Sequence, residues 1–553
     1  MVKPHDFLPT HASLHGYQSK LDSALTKLKA NKIMQRIWDH DHSVWQPDPD
    51  EILNRLGWLH SPEQMLTQRQ RIKTLVEAVR AEGYTQALLL GMGGSSLAPE
   101  VFRKVFGVRA GFLDLSVLDS TDPDAILEHA QRLDVAHTLF LVATKSGGTV
   151  ETLSFFKYFY NRAVAEVGEP EAGAHFVAIT DLGSALVGLA QRHHFRTTFL
   201  NDPNVGGRYA ALSYFGLVPA ALVGVDLKTL LKRSVSAVHN AAERADNAGV
   251  RLGAVLGTLA EAGRDKLTLS SSPSLAALGP WVEQLVAEST GKAGKGILPV
   301  TGERLAAPSV YGDDRLFVYL HLEGEATPEA ALEALCEAGH PLVRIGLRDR
   351  YDLGVEFFRW ELATAVAGHL LAINPFDQPD VEASKTLARK LVADYAQTGT
   401  LPDVEAAGLD AEALNAFLAQ ARPGDYVALQ AYVHPTDETD AALQALRTCL
   451  QQRLHLATTV GYGPRFLHST GQLHKGDSGR GLFVQLTSDA VQDVAIPDEA
   501  GSPSSSLSFG VLKAAQALGD RRALLRVGRR VLHVHLGTEV DTGLRRLLEA
   551  VDS

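Results

Sequence analysis

The sequence predicts an α/β fold: two doubly wound parallel-sheet units, with additional helices at the N-terminus and the C-terminus. Three observations lead there. Short, continuously apolar runs recur along the chain, as expected of strands buried on both faces of a parallel sheet. Helical stretches separate most of these runs, giving βαβα alternation. A chain of 553 residues is also longer than one hydrophobic core usually organises, so several units are expected.

Taken in order, residues 1–75 read as a helical segment. Leu21, Leu25 and Leu28 recur at helical spacing in "KLDSALTKLKANKIMQRIWD". The first α/β unit spans 76–230, with strand candidates "ALLLGM", "LDLSVLD", "TLFLVAT" and "HFVAIT". The second spans 231–490, with "KLTLSS", "RLFVYLHL", "PLVRIGL", "YVALQAYV" and "GLFVQLT". Residues 491–553 hold a loop, "DEAGSPSSSLSF", a helix, and a basic stretch with one strand, "RRVLHVHLG".

Bulk composition narrows the function. The net charge of −11 argues against nucleic acid or an anionic membrane as a bulk partner. An anionic ligand therefore needs locally placed cations or helix N-termini. The longest apolar stretch, Ala210 to Val225, is too short to cross a membrane and contains Ser213 and Pro219. Cys336 and Cys449 form no disulfide or zinc pattern, and the N-terminus lacks an apolar signal core. A cytoplasmic protein is expected.

Six stretches could carry chemistry. A strand ends at Gly91, and Gly93, Gly94, Ser95 and Ser96 precede a helix. Such a turn offers backbone N–H groups to an anion at the carboxyl end of a sheet, or is simply a tight turn. A second strand ends at Thr144, Lys145, Ser146, Gly147, Gly148 and Thr149, again before a helix. Hydroxyls, a lysine and a helix dipole together suit a monophosphate; Ser146 or Thr149 could also act as N-caps. Arg208 follows Gly206 and Gly207, as an oxyanion ligand or as a structural salt bridge. Gln284 and Glu288 lie one turn apart on a helix that runs into Ser289-Thr290-Gly291-Lys292. Glu288 is a candidate general base or a surface glutamate. Asn374 to Pro379 is a rigid turn containing Gln378, with Lys385 on the helix beyond it. His468 stands before a Ser-Thr-Gly turn.

Together these stretches resemble the phosphoglucose isomerase family. The resemblance covers Gly91 to Ser95, Thr144 to Thr149, Gly206 to Tyr209, Gln284 to Lys292, Asn374 to Lys385 and His468 to Gln472. It looks closest to the isomerase half of transaldolase–phosphoglucose isomerase fusion proteins. No transaldolase barrel is expected, because too few residues precede the first α/β unit. The resemblance implies two SIS-type domains and glucose 6-phosphate–fructose 6-phosphate interconversion through a cis-enediol, in glycolysis and gluconeogenesis. It also implies a homodimer and neither cofactor nor metal. Glu288 would move the proton between C2 and C1, and Arg208 would stabilise the oxyanion. His468 and Lys385 would open the sugar ring. Gly93, Gly94, Ser95, Thr144, Lys145, Ser146 and Thr149 would hold the phosphate, with Gln284 and Gln378 orienting the sugar.

Three departures from the family pattern stand out. The histidine motif follows the lysine motif instead of preceding it. In the family this histidine usually comes from the partner subunit, so the changed order leaves open which chain His468 serves. Ala210 replaces a serine, and Gly148 replaces a threonine.

Rival readings are a dual phosphoglucose/phosphomannose isomerase, a non-catalytic sugar-phosphate sensor, and a nicotinamide-dependent dehydrogenase. The last lacks the third glycine of its fingerprint. His40 with His42, and His533 with His535, lack an evident third metal ligand. The arginines at 521, 522, 526, 529 and 530 read as a solvated face.

Overall fold

The computed structural model describes residues 10–402, 406–407 and 411–552. The α/β class holds: parallel sheets are covered by helices. The first sheet is entirely parallel. It contains Gln86–Gly91, Asp114–Leu118, Thr138–Ala143, Phe176–Asp181 and Thr197–Asn201, in the spatial order 2-1-3-4-5. Strand order therefore reverses between Gln86–Gly91 and Thr138–Ala143, where open α/β sheets place their ligands. The glycine turn and the serine–threonine loop follow these two strands. The two anion-binding candidates thus stand on either side of one crevice.

The second half differs from the sequence reading. The strands expected in one unit over 231–490 divide between two sheets. Lys266–Ser271, Leu298–Thr301, Arg315–Leu322 and Leu342–Leu347 form the second, with Thr10–Ser13 added antiparallel at its edge. Tyr426–Tyr432, Ala457–Tyr462, Gly481–Thr487 and Arg530–His535 form a third, wholly parallel sheet. Apolar periodicity identifies a buried strand but not the sheet it joins. Between the two groups lie the helices Leu353–Leu370, Glu382–Thr398 and Ala411–Leu418. The N-terminal segment is largely helical, as expected, with Leu21 and Leu28 buried. Its edge strand is only four residues long, too short to carry an alternation signal.

The first two sheets share a continuous apolar core, threaded by the buried helix Leu353–Leu370. One face of the third sheet has its own core, around Val427, Leu429, Leu482, Val484 and Val534. The basic C-terminal run is not a simple solvated face. Arg529 donates to the backbone oxygens of His474, Lys475 and Asp477, and Arg530 pairs with Asp425. These contacts tie the third sheet to the segment that carries His468.

Candidate active site

The glycines of the first turn make room for protein. A Cβ on Gly94 would lie 2.0 Å from the carbonyl oxygen of Gly207. A Cβ on Gly93, whose φ is +54°, would lie 2.8 Å from Gln284 Nε2 and 3.0 Å from His468 Cβ. These contacts are too close for any side chain. The loss of side chains after Gly91 lets three distant segments, those of Arg208, Gln284 and His468, close on one strand end. Ser95 is buried beside them.

Arg208 is buried and almost fully committed. Its Nε donates to Ser289 Oγ (2.8 Å), one terminal nitrogen to Gln378 Oε1 (2.7 Å), and the other to the carbonyl oxygens of Pro375 (2.8 Å) and Asp377 (2.9 Å). It also stands 3.3 Å from Glu288 Oε1. It therefore fixes the Asn374–Gln378 turn and Glu288 together. Lys292 fixes the same turn from below, donating to Asn374 O, Asp377 O and Asp377 Oδ1. Burial, assisted by Arg208, lowers the Lys292 pKa to about 8.

Glu288, near the end of the helix Leu278–Thr290, is mostly buried. Gln284, one turn earlier, donates to Glu288 Oε2 (3.2 Å) and to the carbonyl oxygen of His468 (2.7 Å). Gln472 completes the frame. Its Nε2 donates to Gly291 O and Asp380 Oδ2, and its Oε1 accepts from the N–H groups of Asp380 and Val381. One amide thus joins the glutamate, histidine and lysine motifs. In the sequence its importance is visible only as membership of a motif.

His468 Nε2 lies 3.1 Å from Glu151 Oε1, and Gln516 donates to the same oxygen at 2.7 Å. Glu151 is buried. Burial opposes its charge, but His468 and the hydrogen bonds outweigh burial and hold its pKa below the ordinary value. Read from the sequence, Glu151 is only an acidic residue early in a helix. Gln516, more than three hundred residues away, carries no signal at all.

A cavity of about 430 Å³ opens beside this pair, lined by Ser146, Thr149, Lys385, His468 and Gln516 among others. The helix Val150–Val167 begins at its wall, and the side chain of its N-cap residue, Thr149, bonds none of the first-turn N–H groups. Thr149 Oγ1 bonds instead to Thr144 Oγ1 (2.8 Å), and Ser146 Oγ accepts from Gly148 N. Neither Ser146 nor Thr149 therefore acts as an N-cap. Lys145 lies outside the cavity lining. Its ammonium pairs with Asp181 and donates to Pro203 O at 2.9 Å. Arg208, Gln284 and Glu288 are also outside the lining; Gln284 joins Glu288 to the carbonyl oxygen of His468, which borders it.

Among the described residues no three His, Cys, Asp or Glu side chains form a group that could hold a metal, and no helix is long and apolar enough to cross a membrane.

The family model for phosphoglucose isomerase matches residues 60–312. That stretch contains Arg208, Gln284 and Glu288; Gln378, Lys385 and His468 lie beyond it. The chain is 30% identical over 390 residues to the glucose-6-phosphate isomerase of Thermus thermophilus, a match covering 61% of this chain and 90% of that relative. It is 29% identical over 361 residues to the glucose-6-phosphate isomerase of Rubrobacter xylanophilus, covering 57% and 84%. Among solved structures, a hypothetical protein from Thermus thermophilus superposes with a TM-score of 0.59 at 26% identity, covering 70% of this chain and all of that one. A glucose-6-phosphate isomerase from Chlamydia trachomatis superposes with a TM-score of 0.58 at 16% identity, covering 69% and 87%, and attests the fold alone. The chain belongs to the phosphoglucose isomerase family.

Proposed function

We propose that the chain interconverts glucose 6-phosphate and fructose 6-phosphate, and that each chain carries a complete site. The observation that supports this most is that Gln284 joins Glu288 to His468, whose pair with Glu151 borders a cavity that also holds Lys385, two hydroxyls and the start of a helix.

The phosphate binds at the start of the helix Val150–Val167, where Ser146, Thr149 and first-turn N–H groups face it. His468, held at Nε2 by the Glu151 carboxylate, passes a proton to the ring oxygen, and Lys385 attends the hydroxyl at C1. With the chain open, Glu288 takes the proton from C2 and returns it to C1. Gln284 and the Arg208 contact orient that carboxylate. Arg208 has nearly every N–H engaged, so its main action is to hold Glu288 and the turn bearing Gln378. Lys145 acts through Asp181 and the Pro203 carbonyl, bracing the loop from behind.

His468 serves its own chain in this reading. Its carbonyl oxygen accepts from Gln284 of the same chain, and its Cβ packs where a Gly93 side chain would stand. Pairing of two copies, expected from the family, is then not required to complete the site. A phosphorylated substrate supports cytoplasmic work. Within the family, the motifs favour likeness to the isomerase half of transaldolase fusions. The third sheet, wholly outside the matched stretch, is where such a subgroup would differ.

The test is a coupled assay: purified chain, fructose 6-phosphate, and glucose-6-phosphate dehydrogenase reporting the product. Mannose 6-phosphate supplied in place of fructose 6-phosphate separates the dual-isomerase reading. Binding without turnover would leave only the sensor.

A further inference from the structure

Asp119, Ser120, Thr121 and Asp122 follow the strand Asp114–Leu118 of the first sheet, and none of them borders the cavity beside His468. Thr121 and Asp122 are nevertheless fully buried. Three of the four side chains reach segments that carry the His468–Glu151 pair.

Asp119 reaches the segment of His468. Its Oδ2 accepts from Ser96 Oγ (3.0 Å) and pairs with Arg465 Nε (3.1 Å). Ser96 closes the glycine turn, and Arg465 opens the single 3₁₀ turn that ends at His468. In such a turn side chains three residues apart eclipse one another. The ion pair at Arg465 therefore fixes the direction in which His468 leaves the chain. This is not a loose surface pair: the Asp119 side chain is 11% exposed. Burial pushes its carboxyl up, against Arg465 and Ser96, so loss of Arg465 would leave a buried carboxylate without its nearest counter-charge.

Thr121 reaches the segment of Glu151. Its Oγ1 donates to Gln516 Oε1 (2.8 Å), and Gln516 Nε2 donates to Glu151 Oε1 (2.7 Å). The threonine thus turns the amide so that its NH2 faces the carboxylate. One turn earlier on the helix Phe509–Arg526, Lys513 donates to Asp122 Oδ2 (2.8 Å) and to Ser488 O (3.0 Å). The other oxygen of Asp122 caps the helix Pro123–Arg132 by accepting from Asp124 N (3.0 Å). The loop is thus anchored to its own helix while it holds the helix that bears Gln516.

We propose that Asp119 and Thr121 are positioning residues for the ring-opening couple: Asp119 aligns His468 through Arg465, and Thr121 aligns Glu151 through Gln516. Their role rests on His468 acting in ring opening.

The test is the coupled assay on the full chain, with kcat, KM and Tm measured for Arg465→Gln, Arg465→Lys, Asp119→Asn and Thr121→Val. Arg465→Gln and Asp119→Asn are also combined with each other and, separately, with His468→Ala. In Arg465→Gln and Asp119→Asn kcat is expected to fall roughly ten- to a hundredfold, the scale of a reacting group misplaced by about 1 Å. KM should stay within about threefold, because neither residue borders the cavity. Arg465→Lys, which keeps the charge, should regain most of the loss. Thr121→Val, nearly isosteric, should lose roughly two- to tenfold, as for one neutral hydrogen bond. Asp119→Asn/Arg465→Gln should be no slower than the slower single variant, since both break one link. In the His468→Ala background either substitution should cost less than about twofold more, because it acts through the histidine. Should Arg465→Gln lose its fold, Asp119→Asn keeps the size and an acceptor for Ser96 and carries the same comparison.

Unchanged kcat in both Arg465→Gln and Asp119→Asn would overturn the positioning of His468. So would an equal fold-loss with and without His468, which is what a merely structural contact gives. Unchanged kcat in Thr121→Val would overturn the positioning of Glu151. His468→Ala as fast as wild type would instead overturn the ring-opening reading, and the positioning with it.

Discussion

Replacing Glu151 by Gln should weaken catalysis without removing the substrate site. The carboxylate oxygen Oε1 accepts from both His468 (3.1 Å) and Gln516 (2.7 Å) inside the protein. A glutamine keeps the size and one acceptor but loses the charge. A hydrogen bond to a charged group contributes about 1.5–3 kcal/mol, and a neutral one about 0.5–1.5. The difference, a little over 1 kcal/mol, corresponds to roughly a tenfold fall in kcat. Glu151→Ala removes both acceptors and leaves His468 facing a buried gap. Breaking a buried pair costs about 3–5 kcal/mol, so two to three and a half decades of kcat are expected, roughly. The coupled assay reads both, with KM for fructose 6-phosphate staying within about threefold, since the phosphate groups are untouched. Because Glu151 acts through His468, the double variant Glu151→Gln/His468→Ala should be no slower than His468→Ala alone. Full activity of Glu151→Gln, or multiplicative losses in the double variant, would refute the pairing. The pH dependence has a definite sign. A carboxylate whose pKa is lowered in the folded chain contributes stability above its ordinary value, and that contribution is lost as pH falls through the lowered one. The acid limb attributable to this pair should therefore lie below 4.5, the ordinary glutamate value.

Three other outcomes are expected. Mixing inactive Glu288→Gln and His468→Ala chains should restore no activity if His468 serves its own chain; recovery toward a quarter or more of wild type, roughly, would assign it to a partner. Gly94→Ala should lower Tm and abolish turnover, because its Cβ would fall 2.0 Å from Gly207 O, whereas Gly207→Ala, with open space around it, should be mild. Lys292 should impose an alkaline limb on kcat/KM near pH 8, as loss of its proton removes a donor from the Asn374–Asp377 turn. Its effect on stability runs the other way. The unfolded chain binds this proton more tightly, so the group's contribution to stability rises between about 8 and 10.5. Lys292→Arg should remove the limb.

What can be read in the sequence follows from what is local. Strand-to-helix turns such as Gly91–Ser96 and Thr144–Thr149 are written in contiguous residues, and so are Gln284 and Glu288, one helical turn apart. The assignment of strands to sheets is not local, which is why Tyr426–Tyr432 reads as one unit with Lys266–Ser271 until pairing separates them. Lys145 and Arg208 are legible as cations near flexible backbone, but their acceptors, Asp181 and the Pro375–Gln378 turn, come from elsewhere in the chain. Glu151 and Gln516 stay hidden for the same reason: a glutamate in a first turn and a glutamine in a C-terminal helix become a site only when the third sheet closes against the first.

The most direct test of the isomerase account is Glu288→Gln in the coupled assay, with calorimetric binding of fructose 6-phosphate measured on the same preparation. The account predicts turnover reduced by at least roughly a hundredfold, as for loss of an essential base, with affinity within a few-fold of wild type. A variant that keeps more than about a tenth of its activity, or that loses binding and turnover together, would contradict Glu288 as the base.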